Sequence, residues 1–370
     1  MMDTKKVRKQ LLTKTSIKPL TADDYVGTGS TLLNLAISGN PYRGFAKGYY
    51  YYLVGDTQSG KTWLSLTCLA EASINKNFDG YRFIFDNGEQ GALMDIERFF
   101  GKKVADRIEP PRIVKGEAVC SYTLEDFYFN VHDAIQKGEP FIYILDSMDS
   151  LTSTQELGKF EERKKAARKG KTTTGSMGDG KAKINSQDLR QLLTPLYKAK
   201  SILIVINQTR DNLKLGYGAP LKTRSGGHAP SFYACLELWS SVKGKIFKNS
   251  TIMSSTTGRK SVRKRELGTY CKIRVKKNRM TGKDRTIVIP IYHSFGIDDI
   301  GSCVDYLVEE FRWGKKGVKI EAHDLSKTAT RDKLIQFIEK RNLEKDVRDI
   351  MEEVWLNAEK QCEVRRKKRY

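Results

Sequence analysis

An α/β fold is what this chain predicts: a mainly parallel central sheet flanked by helices, an antiparallel strand extension, and a small helical C-terminal module. Three observations predict it. From Gly29 to about Tyr292, apolar runs of strand length alternate with segments of helical apolar spacing. The first run leads directly into a glycine-rich turn and then a helical pattern, the order of a strand–turn–helix unit. The last three runs, Phe232–Val242, Tyr270–Lys277 and Arg285–Tyr292, have no long helical pattern between them, so they read as antiparallel strands widening the sheet.

The parallel strands are expected at Tyr49–Val54, Tyr81–Asp86, Phe141–Asp146 and Ser201–Asn207, with their carboxyl ends forming the ligand edge. Crossover helices are expected at Lys61–Lys76, Leu93–Phe100, Leu124–Gln136 and Ser186–Tyr197. Residues 1–27 read as a basic arm and linker, 28–304 as the core, and 305–370 as the small module. That module has helices at Arg331–Arg341 and Glu344–Lys360 and a basic tail, Arg365–Arg369. Two stretches break the alternation. Residues 157–183 and 209–228 are rich in cations and glycine, and loops of that length inside a compact domain tend to be functional. A third basic run, Arg259–Arg265, falls in an expected connection between strands.

Composition narrows the partners. Across 370 residues, 66 Lys and Arg against 44 Asp and Glu leave a formal charge of +22. A surface of that sign attracts polyanions and releases counterions from them, so nucleic acid is favoured over a merely solubilising charge. No apolar stretch reaches membrane-spanning length, and the first twenty residues are too basic and polar for a secretory leader. The cysteines at 68, 120, 235, 271, 303 and 362 form no C-x-x-C pair, which suits reduced thiols in a cytoplasm.

The chemistry concentrates in Gly55-Asp56-Thr57-Gln58-Ser59-Gly60-Lys61-Thr62, a complete G-x-x-x-x-G-K-[ST] phosphate loop with Trp63 opening the following helix. Its glycines let backbone N–H groups face phosphates, Lys61 supplies a cation to the β and γ oxygens, and Thr62 offers a hydroxyl to Mg²⁺. Asp146 ends the run Phe141-Ile-Tyr-Ile-Leu145, where a carboxylate would stand beside the same metal. Hydrolysis also needs a group that orients water. Asp86 and Glu89 are the candidates; Glu89 lies further into its loop, within reach of a γ-phosphate, while either could instead cap a nearby helix. Asn207-Gln208 closes the fourth strand, and Gln208 could donate to a γ-phosphate and pass its loss into the loop beyond. Histidines stand only at 132, 228, 293 and 323, which supports neither a metal cluster nor an imidazole triad.

In this order of parts the chain resembles the RecA/RadA-type recombinase family over roughly Gly27 to Asp305. The resemblance is carried by Val26–Ser38, the phosphate loop, Phe85-Asp-Asn-Gly-Glu89, Ile204-Val-Ile-Asn-Gln208-Thr-Arg210 and Ser225-Gly-Gly-His-Ala-Pro-Ser-Phe-Tyr233, with Gly175-Ser-Met-Gly178 where the first DNA loop of the family would lie. It implies a RecA-like P-loop ATPase core that uses ATP and Mg²⁺, with Glu89 activating water. It also implies Lys277 and Arg279 reaching the neighbouring subunit's nucleotide, and self-association into a filament or ring. The two loops would then bind single-stranded DNA through Lys171, Lys181, Lys183, Arg210, Lys214, Lys222 and Arg224, with Tyr217 stacking on a base or anchoring its loop. A homologous duplex would be the second partner. A ring helicase, or an accessory protein that barely hydrolyses ATP, uses the same core. The chain departs from the family pattern in Asp56-Thr57-Gln58, in its long basic first loop and in the enlarged Arg259–Arg265 connection, as a viral or mobile-element relative would. The extra Asn87-Gly88 leaves the register of the acid, Glu89 or Asp86, open.

Overall fold

The computed structural model describes residues 19–170, 179–211, 222–224, 226–253, 259–367 and 369. Strand β1 (Tyr50–Gly55) is buried along its whole length. Tyr51 and Leu53 face one apolar cluster, while Tyr50, Tyr52 and Val54 face the other. A continuous aromatic and β-branched run is what such two-sided burial requires. β2 (Arg82–Asp86), β3 (Phe141–Leu145) and β4 (Ile202–Asp211) join it in the spatial order β2–β3–β4–β1, all parallel. On the other side β5 (Leu236–Met253) runs parallel to β1, and β6 (Lys260–Asn278) and β7 (Arg285–Tyr292) follow antiparallel. Short strands Ile108–Glu109 and Gly296–Ile297 close the two edges.

Helices cover both faces. α1 (Thr31–Ser38) and α2 (Lys61–Ile74) give their apolar side chains to the cluster of Tyr51 and Leu53. α3 (Leu124–Gln136) packs on the opposite face and starts at a capping box, in which Thr123 and Asp126 satisfy each other's backbone N–H. The mainly parallel sheet, its helical layers and its antiparallel extension are as the sequence predicts.

Four local expectations change. Residues 157–183 are not one loop: α4 (Thr154–Arg168) begins at a Ser153/Glu156 capping box, and α5 (Asp179–Lys198) starts seven residues before Ser186. No residue of α4 is buried, so no apolar stripe announces it; Glu, Lys, Arg and Ala sustain it by propensity. Residues 209–228 also begin in regular structure, because β4 runs on to Asp211 and pairs antiparallel with Lys222–Arg224. The Arg259–Arg265 connection is largely strand, with Lys260 to Arg265 forming the start of β6. The Leu93–Phe100 helix shortens to Ile96–Phe100, where Asp95 caps the Arg98 N–H.

α6 (Asp299–Glu309) runs through position 304, so core and C-terminal module share a helix. A three-stranded antiparallel sheet, formed by Gly314–Lys316, Lys319–Ala322 and Lys327–Thr330, precedes α7 (Arg331–Lys340) and α8 (Glu344–Gln361). The module is therefore not wholly helical. Trp313, Leu334, Val347 and Met351 join the apolar cluster that α1 and α2 fill. Arg348 of α8 reaches Asp299 at 3.1 Å, and Asp299 in turn accepts the Thr31 backbone N–H at 2.6 Å. No helix among the described residues is long and apolar enough to cross a membrane.

Candidate active site

The parallel register gathers the site at the carboxyl edge. Gly55, the last residue of β1, stands beside Gln208 of β4 on one side and Ser240 of β5 on the other. A Cβ on Gly55 would run into Ser240. Gly60 has φ +85°, and a Cβ there would lie 2.5 Å from Ile291 Cδ1, so both signature glycines are required by space or backbone. Lys61 is the first residue of α2, and the loop's N–H groups therefore meet the positive end of a helix. The Lys61 ammonium folds back over the loop and donates to the Gly55 and Asp56 carbonyls at 3.0 and 2.6 Å. Burial pulls its pKa down, and the charges of Asp146, Glu89 and Asp56 oppose that fall.

Thr62 donates its hydroxyl to Asp146 at 2.6 Å. Two hard oxygen donors at the mouth of a phosphate loop suit Mg²⁺, and the Lys61 cation and helix N-terminus suit a triphosphate. Burial raises the Asp146 pKa and Glu89 adds to the rise, against the Thr62 hydrogen bond and the Lys61 charge. The peptide between Asp146 and Ser147 is cis.

The two candidate water-orienting acids have different surroundings. Asp86 is fully buried: one oxygen accepts the Ser121 N–H at 2.8 Å, the other the hydroxyls of Ser121 and Tyr143 at 2.5 and 2.6 Å. Glu89 sits at the edge, where its backbone N–H donates to the Asp146 carbonyl at 3.0 Å. Its carboxylate accepts from Ser147 Oγ at 2.5 Å and from Gln208 Nε2 at 2.6 Å. The acid, the amide and the metal-side carboxylate are thus neighbours. Thr209, one residue on from Gln208, donates its hydroxyl to Asp56 inside the phosphate loop. Ser59 bonds Ser240 at 2.6 Å and ties the loop to β5.

Sequence reasoning missed Ser147, Thr209 and Ser240. Ser147 follows Asp146 directly and could have been found; the other two become visible only through strand register. A cavity of about 350 Å³ opens beside Gln58–Trp63 and is walled by Lys245, Glu266 and His293 among others. The Trp63 indole packs on Phe99 and Phe100, with centroids 5.0 and 5.2 Å apart. A larger cavity of about 970 Å³ lies between β6–β7 and the C-terminal module, away from the phosphate loop, with Tyr306 and Trp355 in its wall.

Of the expected DNA contacts, Lys171, Lys214 and Tyr217 lie outside the described residues. Lys183 is exposed on α5. Lys181 instead ties α5 down, donating to the Leu151 carbonyl at 2.7 Å and pairing with Glu156 at 3.2 Å. Arg210 pairs with Asp149 at 2.9 Å while staying largely exposed. Lys222 and Arg224 belong to the strand paired with β4. Lys277 and Arg279 sit near the other edge of the sheet, Lys277 in the row of Glu237 and Tyr52, about 10 Å along the strands from Gly55. Both donate to carbonyls of Ser231 or Phe232 at 2.7 Å, so within one chain they do not join the phosphate loop.

The RecA N-terminal domain family matches residues 135–298, from just before β3 to the end of the antiparallel extension. Protein RecA of Chloroherpeton thalassium is 28% identical over 297 residues, covering 77% of this chain and 68% of that protein. The similarity is to RecA proteins over most of the chain. Protein RecA of Nautilia profundicola is 27% identical over 320 residues, covering 85% and 74% of the two chains. Protein RecA of Trichodesmium erythraeum is 25% identical over 334 residues, covering 88% and 79%. The similarity is distant, but the alignments cover about three quarters or more of the chain, and the strand carrying Gln208 lies within the matched family segment.

Proposed function

We propose that the chain is a DNA-dependent ATPase and recombinase that assembles as a filament on single-stranded DNA and pairs it with a homologous duplex. One observation carries the reading. The strand that enters the second basic segment begins its hairpin at Gln208 and Thr209, which are hydrogen-bonded to Glu89 and to the phosphate-loop Asp56. A change at the phosphates is therefore adjacent to a change in that hairpin.

Bound MgATP would supply the scissile phosphoanhydride and the metal charge that neutralises it. Thr62 and Asp146 would hold the metal, and Lys61 would leave its two carbonyl partners for phosphate oxygens. Glu89, oriented by Ser147 and Gln208, would hold a water and take its proton. Lys277 and Arg279, remote from their own phosphate loop, would serve a neighbouring subunit's nucleotide. Arg210, Lys183 and the cations of 171–183 and 209–228 would contact backbone phosphates, giving salt-sensitive and largely sequence-independent binding.

The test is negative-stain microscopy with single-stranded DNA and a non-hydrolysable ATP analogue, alongside ATP turnover with and without that DNA. Helical filaments and DNA-stimulated turnover support the reading. Hexameric rings would favour a helicase on the same core. Absence of stimulated turnover, with DNA binding indifferent to Lys61→Ala, would favour an accessory protein.

A further inference from the structure

Beyond the sheet, β5 and β6 continue as a two-stranded ribbon. β1 pairs β5 only from Leu236 to Ser240, and β7 pairs β6 only from Gly268 onward. From Phe247 to Met253 and from Lys260 to Glu266, no third strand joins them among the described residues. An uncovered two-stranded ribbon gains little from burial, so its side chains are not explained by packing.

Their charge is one-sided. Eight cations fall between Lys243 and Arg265, and no acid occurs between Glu237 and Glu266. In the register Lys248 stands directly opposite Arg265, with Arg263 opposite Ser250, so three cations share one face. Like charges placed directly across a ladder destabilise it. Among the described residues none of these three has an acidic partner, and all are exposed. The other face carries Lys260 and Lys264 beside exposed Phe247, Val262 and Met253, with the Lys264 ammonium 4.1 Å from the Phe247 ring centroid.

We propose that this outer ribbon is a separate nucleic-acid site that lies in the major groove of duplex DNA, with Lys248, Arg263 and Arg265 on the phosphates. A B-form major groove, about 12 Å wide, admits a two-stranded ribbon, and duplex phosphate supplies the counter-charge that the ribbon lacks. The ribbon springs from the nucleotide edge: Lys245 and Glu266 pair at its base, 2.7 Å apart, in the wall of the phosphate-loop cavity. A duplex held there would approach the same edge that the second basic segment occupies.

The experiment titrates the full chain with a labelled random-sequence duplex and, separately, with a labelled single strand, between about 50 and 200 mM salt. The K248Q/R263Q/R265Q variant is expected to bind duplex about ten-fold more weakly and to lose about 3 from the slope of log affinity against log salt. Its single-strand affinity and DNA-stimulated turnover should stay within about two-fold of wild type. The charge-preserving K248R/R263K/R265K variant should retain duplex binding, and thermal melts of both variants should match wild type. Unchanged duplex affinity and slope would overturn the proposal. So would an equal loss on both DNA forms, or an altered oligomeric state without DNA, which would make the ribbon a subunit contact. The duplex comparison needs no nucleotide, so it stands whether or not triphosphate controls single-strand binding.

Discussion

The end of β2 and the loop just beyond it each hold a carboxylate, and only the second is available for chemistry. Asp86 is sealed under the sheet edge, where Ser121 and Tyr143 occupy both oxygens. Glu89 sits in the open, held by Ser147 and Gln208. Burial raises the Asp86 pKa, and its hydrogen bonds work against that rise; this is how a structural acid is stabilised. Two residues, Asn87 and Gly88, separate a brace from a candidate base.

Substitutions at the two acids test that contrast. Glu89→Gln should lower DNA-stimulated ATP turnover by about 10²–10⁴-fold while leaving the thermal midpoint and nucleotide binding near wild type. Steady-state turnover beside calorimetric nucleotide binding checks this, and a variant with wild-type turnover would remove Glu89 from the chemistry. Asp86→Ala should do the reverse. It leaves the Ser121 and Tyr143 donors without their acceptor and should cost about 2–4 kcal/mol in urea unfolding. An Asp86 variant that folds normally yet has lost turnover would invert the two assignments.

Asp146 is the intermediate case, buried like Asp86 but standing at the mouth of the phosphate loop, where it accepts from Thr62. Its pKa lies above the ordinary 3.8, so from that pH upward the native state holds more of this proton than the unfolded chain does. That contribution to stability is therefore lost as pH rises through the raised pKa. Without nucleotide, Asp146→Asn should gain stability relative to wild type between about pH 4 and pH 7, a small effect read from urea midpoints at the two pH values. A constant difference would mean that the carboxylate carries no such burden.

The same distinction governs how much was legible in the sequence. β1, the phosphate loop and the Asp146 strand were readable because two-sided burial demands an unbroken apolar run and phosphate binding demands fixed residue types. Gln208 was readable from its place at the end of a buried apolar run, although the strand itself continues to Asp211. α4 and the outer ribbon were not, because nothing packs over them and no apolar period marks their structure. Ser240 and Thr209 escaped for another reason: their roles follow from register across β5, β1 and β4, which no single segment encodes. The Glu89 register could not be read past the extra Asn87-Gly88, and burial separates the two acids.

On the proposed function, a triphosphate on the phosphate loop is felt, through Gln208, by the hairpin that would meet single-stranded DNA. The most direct measurement is single-strand affinity with ADP and with a non-hydrolysable ATP analogue, in wild type and in Gln208→Ala. Tighter binding with the analogue, by about five-fold or more, is expected in wild type, with little or no gain in the variant. Equal affinities with both nucleotides in wild type, or a full gain preserved in Gln208→Ala, would contradict it.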